Sequence, residues 1–188
     1  LVVVLDHVRS LYNVGSVFRS SDAFRIESVF LCGITAQPPH PEIHKTALGA
    51  EDSVPWRYFK QTEDAVLWLK EEGYTVLAVE QCEGSTMLQN FQPEKDNKYA
   101  VVLGNEVKGV HQEVIDASDG CLEIPQFGTK HSMNYYLLLF YFYLHFHFLM
   151  IIYLIVLAYH LTFLNLAIDV KLFRHFLLLS NLYEVVLI

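Results

Sequence analysis

The chain has 188 residues, 53% hydrophobic and 18% charged, which is enough apolar content for one packed core and excludes an intrinsically disordered protein. Its 13 Lys and Arg against 21 Asp and Glu leave a net charge of −8, so it does not wrap nucleic acid as a polycation, and local patches would have to hold any RNA. Cys32, Cys82 and Cys121 form no C-x-x-C and no even-numbered set, which excludes a disulfide scaffold, gives no zinc-ligand spacing, and points to a reducing compartment.

Leu1–Leu5 (LVVVL) is an unbroken apolar run of the kind that forms a parallel strand covered on both faces, and Asp6 ends it. A helix is predicted from about Asn13, as its cap, through Val17, Phe18, Ala23 and Phe24. Ser28–Cys32 reads as a second strand. Gly33–Pro41, with three prolines, reads as a loop, and His44–Gly49 as a short helix closed by glycine. A short strand at Trp56–Phe59 precedes a helix over Thr62–Glu72. Three further strands are predicted at Thr75–Val79, Tyr99–Leu103 and Gly120–Glu123, with a helix at Gln112–Ala117. Strand and helix alternate throughout, which gives an α/β fold with a parallel sheet flanked by helices. Ligands of such sheets gather at the carboxyl ends of the strands, so the loops after Leu5, Val79, Leu103 and Glu123 are the places to search.

The composition breaks at Tyr135. All 9 glycines and all 6 prolines precede it, and Tyr135–Ile168 runs for 34 residues without an Asp, Glu, Lys or Arg. Hydropathy alone reads this stretch as a transmembrane segment, but it has no small-residue packing motif, no flanking basic cluster, and three histidines inside it. Three readings remain open: translated non-coding sequence from a retained intron or frameshift after Asn134, which the Leu, Phe, Tyr, Ile and His vocabulary favours; a membrane anchor; and a buried helix. The chain also starts at Leu1 inside a predicted strand, and an upstream segment is expected.

Three of the loops carry the unusual residues. In Asn13-Val14-Gly15-Ser16-Val17-Phe18-Arg19, an amide and a guanidinium flank a helix start, and Arg19 is a fork suited to phosphate or a developing oxyanion. Alone, the segment is equally a helix cap with a surface arginine. In Leu103-Gly104-Asn105-Glu106-Val107-Lys108-Gly109, a buried strand enters a glycine turn in which Gly104 permits close approach to the backbone. This is not a P-loop, because Val110 follows Gly109, and a plain strand-to-helix turn would account for it apart from the Glu106 carboxylate. In Leu122-Glu123-Ile124-Pro125-Gln126-Phe127-Gly128-Thr129-Lys130-His131-Ser132-Met133-Asn134, Pro125 and Gly128 fix an irregular loop where Ser132 and Asn134 offer hydrogen bonds, or where Ser132 simply caps a helix.

Together the three resemble motifs 1, 2 and 3 of the SpoU (TrmH) class of the SPOUT superfamily, the knotted RNA ribose 2′-O-methyltransferases, in the right order and each after a predicted strand. The segments His44–Glu51 (HKTALGAE) and Leu77–Ser85 (LAVEQCEGS) look like that family's linking elements. The resemblance covers residues 1–134, which reads as an N-terminally truncated methyltransferase domain, and leaves 135–188 as a divergent apolar tail.

What the resemblance implies is the SPOUT α/β knot fold, with S-adenosylmethionine as cofactor, tRNA or rRNA as substrate, and a homodimer in which the motif 1 arginine reaches the partner's site. It implies cofactor contacts from Gly104, Ile124 and Met133, with Leu103 and Leu122 lining the pocket. It gives functional roles to Asn13, Arg19, Glu106, Ser132 and Asn134, and implies no metal. A guanidinium is practically never neutral, so Arg19 is read as positioning a phosphate and stabilising alkoxide character, held in place by Asn13 and Glu106. The location implied is cytoplasmic or organellar.

The family continues after motif 3 with a helix that completes the knot and much of the dimer interface, and here Tyr135 onward replaces it. Two alternatives follow from that departure. One is an inactive RNA- or cofactor-binding remnant, the other a protein anchored to a membrane through residues 135–168. As a helix the uncharged stretch would be an apolar rod of about 50 Å, more than a small sheet domain can cover. The full chain is therefore expected to pellet or be degraded, and a version with a family-like helix after Asn134 to be a soluble dimer, which sedimentation of the two would check.

Overall fold

The computed structural model describes residues 1–94 and 96–124. Within them are seven strands, β1 (Val2–Asp6), β2 (Ser28–Cys32), β3 (Trp56–Phe59), β4 (Tyr74–Val79), β5 (Thr86–Met87), β6 (Lys98–Leu103) and β7 (Gly120–Glu123). Five helices accompany them: α1 (Leu11–Ala23), α2 (Pro41–Ala47), α3 (Ala50–Ser53), α4 (Thr62–Glu71) and α5 (Gln112–Ala117). The strands form one sheet in the order β3-β2-β1-β6-β4-β7-β5, and each pairing is parallel.

The continuous apolar run of β1 follows from burial on both faces. Val3 and Leu5 join Val29, Leu31, Val101, Leu103, Leu77 and Leu122 under α1 and α2, while Val2 and Val4 join Phe30, Val76, Ala78, Ala100 and Val102 under α4 and α5. Phe18 of α1 is fully buried in the first of these layers. Phe18→Ala is expected to lower unfolding stability by about 3–5 kcal/mol, measured by urea titration, because the layer can close only part of the gap.

Helix starts differ from the sequence expectation in two places. Ser10, not Asn13, caps α1, its hydroxyl accepting from the Asn13 amide at 3.2 Å, which frees the Asn13 side chain for another partner. Pro41 begins α2 earlier than expected, with the His40 ring capping it, and Leu48 in the left-handed region closes it in place of Gly49. The His44 ring meets the buried Glu51 carboxylate at 2.5 Å, so the two ends of the HKTALGAE segment are tied together. Burial pushes the Glu51 carboxyl up, but its own amide, His44 and the Gly49 amide outweigh that and hold it below the ordinary value.

Among the described residues no helix is long and apolar enough to cross a membrane. Residues 135–168, on which the membrane reading rested, lie outside the described residues, as do the knot and the boundary at 134.

Candidate active site

The carboxyl ends of β1, β6, β4 and β7 stand side by side at one edge of the sheet. Val79 pairs in register with Leu103 on one side and with Leu122 on the other, so the two expected cofactor-binding segments lie two strands apart, roughly 9–10 Å. That span suits a ligand of nucleoside size. Leu103 and Leu122 themselves are core side chains, each 1% exposed, and Ile124 is also buried. What Leu103 and Leu122 can offer a ligand is therefore strand-end backbone, and the Leu122 carbonyl already accepts from the Glu80 amide at 3.1 Å.

The loop after β6 closes on itself. Asn105 and Gly109 exchange amide-to-carbonyl hydrogen bonds at 2.9 Å each, and the Asn105 side-chain oxygen accepts from the amides of Val107 at 2.9 Å and Lys108 at 3.2 Å. Gly109 has φ of +72° and its α-carbon faces the Glu80 carboxylate, which accepts from the Val110 amide at 2.9 Å, so a side chain there would be both strained and blocked.

This loop clasps the one after β1. Glu106 accepts from the Ser10 amide at 2.9 Å, from the Arg9 amide at 3.1 Å and from the Asn13 side-chain amide at 3.0 Å, while Asn105 donates to the His7 carbonyl at 2.8 Å. Thr35 pins the same loop from below, accepting from the Val8 amide and donating to the Leu5 carbonyl. Burial pushes the Glu106 carboxyl up, yet the amides of Arg9 and Ser10, its own amide and Asn13 more than offset this and hold it below its ordinary value of 4.5. A depressed carboxyl stabilises fully above the unfolded value and loses its contribution as pH falls through the lower folded one. Glu106→Gln is expected to speed hydrogen exchange at the Arg9 and Ser10 amides about tenfold at neutral pH, since one charge-assisted acceptor becomes a donor. In the wild type the protection should hold above pH 4.5 and fade only in stronger acid.

Asn13 and Glu106 are thus brought together, but they do not hold Arg19. Arg19 sits six residues beyond Asn13 on α1, about 9 Å along the axis and turned roughly 240° around it, exposed and without a hydrogen bond or ion pair among the described residues. The reason is the helix period, which sends positions 13 and 19 to different faces. Ser132, Met133 and Asn134 lie outside the described residues.

Sequence reading missed Asn105, Thr35, Glu80 and above all Asp6. The Asp6 side chain is fully buried at the end of β1, one oxygen accepting from the Thr62 hydroxyl at 2.6 Å and the other from the His111 amide at 2.9 Å and ring nitrogen at 2.8 Å. Its only signal was position, a carboxylate ending an apolar strand. Burial pushes the Cys32 thiol up to about 12, and burial with the neighbouring Cys82 does the same for Cys121, so neither supplies a thiolate nucleophile at neutral pH.

Residues 1–136 match the profile of the SpoU rRNA Methylase family, about three quarters of the chain and every element described above. The chain belongs to the SpoU rRNA methylase family. Its relatives include the 23S rRNA (guanosine-2′-O-)-methyltransferase RlmB of Coxiella burnetii, 28% identical over 134 residues, 71% of this chain and 52% of that protein. The tRNA (guanosine(18)-2′-O)-methyltransferase of Saccharomyces cerevisiae is 33% identical over 137 residues, 71% of this chain and 9% of that protein. The chain thus spans about half the length of the bacterial relative and a small part of the yeast one. An S-adenosylmethionine-bound rRNA methyltransferase from Sinorhizobium meliloti superimposes with a TM-score of 0.70 at 26% identity, over 77% of this chain and 54% of that one. That superposition bears out the parallel α/β fold expected from the sequence.

Proposed function

We propose that this chain transfers a methyl group from S-adenosylmethionine to a ribose 2′-hydroxyl of tRNA or rRNA. The observation that carries the reading is the clasp of the motif 1 and motif 2 loops through Glu106 at the carboxyl edge of the sheet, where a parallel α/β fold binds its ligands. Family membership and the activities of the relatives support it.

The residues present fit the cofactor. Gly104 sits half-buried at the end of β6, where its missing side chain lets the Gly109 and Val110 backbone close against it and shape the loop, and Ile124 follows β7 two strands away. Gly104, Leu103, Leu122 and Ile124, with Met133, would hold the cofactor, which when bound supplies an electrophilic methyl group on a sulfonium centre. The chain's own part is positioning, which provides much of the acceleration in such displacements. The clasp through Glu106 and Asn13 fixes the β1–α1 loop, and the exposed Arg19 fork binds the RNA phosphate and stabilises alkoxide character on the 2′-oxygen as its proton leaves to solvent. Ser132 and Asn134 are assigned to the same pocket by their motif. Because Arg19 faces away from its own Asn13, it would serve the site of a second copy, which makes the working form a homodimer. The reading places the chain in the cytoplasm or an RNA-containing organelle.

Calorimetry of the full chain with S-adenosylmethionine, in mild non-ionic detergent if the chain pellets, tests the cofactor half of this reading. Saturable one-to-one binding is expected. An absence of binding would leave an inactive remnant of the fold.

A further inference from the structure

Beside the clasp lies a second cluster, made of side chains that the clasp does not use. Asp6 at the end of β1, His7 next to it and His111 before α5 bring one carboxylate oxygen and two imidazole nitrogens within 4.8 Å of one another. We propose that Asp6, His7 and His111 bind a divalent transition-metal ion of the zinc class. Two imidazoles and a carboxylate are a donor set that such ions favour, and three ligands around one tetrahedral ion stand about 3.4 Å apart, so the groups need only small rotations to close on it.

Two further features mark the place as built. The first concerns His7, which has φ of +53°, and Gly33 beneath it, which has φ of +61°. A β-carbon on Gly33 would lie 2.3 Å from two atoms of the His7 ring, so the imidazole occupies room that only glycine leaves, and a bulky residue takes a strained backbone to present it. It meets the His111 ring edge to face, with centroids 4.7 Å apart. The second concerns Asp6, a fully buried carboxylate whose ion partner among the described residues is His111, with no Lys or Arg beside it. A buried carboxylate calls for a cation or a full set of donors.

The outer contacts for such a site already exist. The Thr62 hydroxyl and the His111 backbone amide hold the two Asp6 oxygens, as the supporting groups of metal ligands do. The ion would replace the proton now shared between Asp6 and the His111 ring nitrogen at 2.8 Å, that proton leaving to solvent as the pair opens by about half an ångström. Asp6 and His111 are 105 positions apart, which is why no ligand spacing shows in the sequence.

The test is zinc titration of the metal-free full chain by calorimetry in mild non-ionic detergent. One ion per chain should bind saturably, with affinity at least tenfold weaker in His7→Asn and in His111→Asn, about 10- to 100-fold weaker in Thr62→Val, and unchanged in Cys82→Ser. Cobalt bound to the wild type should show ligand-field absorption without a thiolate charge-transfer band, a reading that does not depend on any variant folding. No saturable binding, full affinity in both histidine variants, or a thiolate band would overturn the proposal.

Discussion

Arg19→Ala is expected to slow methyl transfer about 100- to 1,000-fold while leaving S-adenosylmethionine binding and melting temperature nearly unchanged, because it removes a charge that acts on the transition state. The structure explains the expected split between rate and stability. Arg19 is an exposed residue in the middle of α1 with no hydrogen bond or ion pair among the described residues, so its loss leaves no buried group unpaired. Alanine also keeps the helix, as the best helix former. Arg19→Lys should recover only part of the rate, since a point charge replaces a planar fork. Single-turnover kinetics alongside calorimetry would check both halves. Full activity in Arg19→Ala would remove the residue from the mechanism.

Gly104→Ala is expected to weaken cofactor binding about 100-fold or more by acting on backbone. A β-carbon there would stand 2.1 Å from the Gly109 carbonyl carbon, 2.2 Å from the Val110 amide nitrogen and 2.4 Å from the Gly109 carbonyl oxygen. None of these is the far end of a flexible side chain, so the loop must open and lose the paired Asn105–Gly109 hydrogen bonds. Overpacking of about 1–3 kcal/mol and two hydrogen bonds of about 1 kcal/mol each together correspond to a loss of affinity on the order of 100-fold or more. Gly73→Ala is the contrast. It lies in the turn before β4, at the other end of the sheet, with φ of +81° and open space around its α-carbon, and it should lower stability modestly without touching cofactor affinity. Calorimetry and thermal melts of the two variants would separate a local effect on the site from a general loss of fold.

The strands were legible because a sheet covered on both faces writes itself as unbroken apolar runs. LVVVL, SVFLC and KYAVVL are all such runs, and each is a strand within a residue or two of where it was expected. Their spatial order was not legible, since β6 pairs with both β1 and β4 over long sequence separations that leave no local mark. Strand β5 escaped notice because it is two residues long. Asn13 looked like a helix cap because its type fits one, and only the arrival of Glu106 from a distant loop shows that Ser10 caps the helix while Asn13 ties two loops together. The same holds for Asp6, which looked like a mere strand end until Thr62 and His111 were seen to enclose it. The glycine turn was readable in part: Gly109 makes the tight return expected of it, with φ of +72°, whereas Gly104, expected to let a ligand approach, instead admits the Gly109 and Val110 backbone of its own loop.

The claim on which the account turns is that the methyl group goes to a ribose oxygen. Incubating the full chain with tritiated S-adenosylmethionine and tRNA or rRNA transcripts, followed by alkaline hydrolysis, reads that directly, because a methylated 2′-oxygen can no longer attack the neighbouring phosphate. The account predicts label in alkali-resistant dinucleotides, lost when Arg19 is replaced by alanine. Label recovered only in mononucleotides, or no incorporation by a chain shown to bind the cofactor, would contradict it.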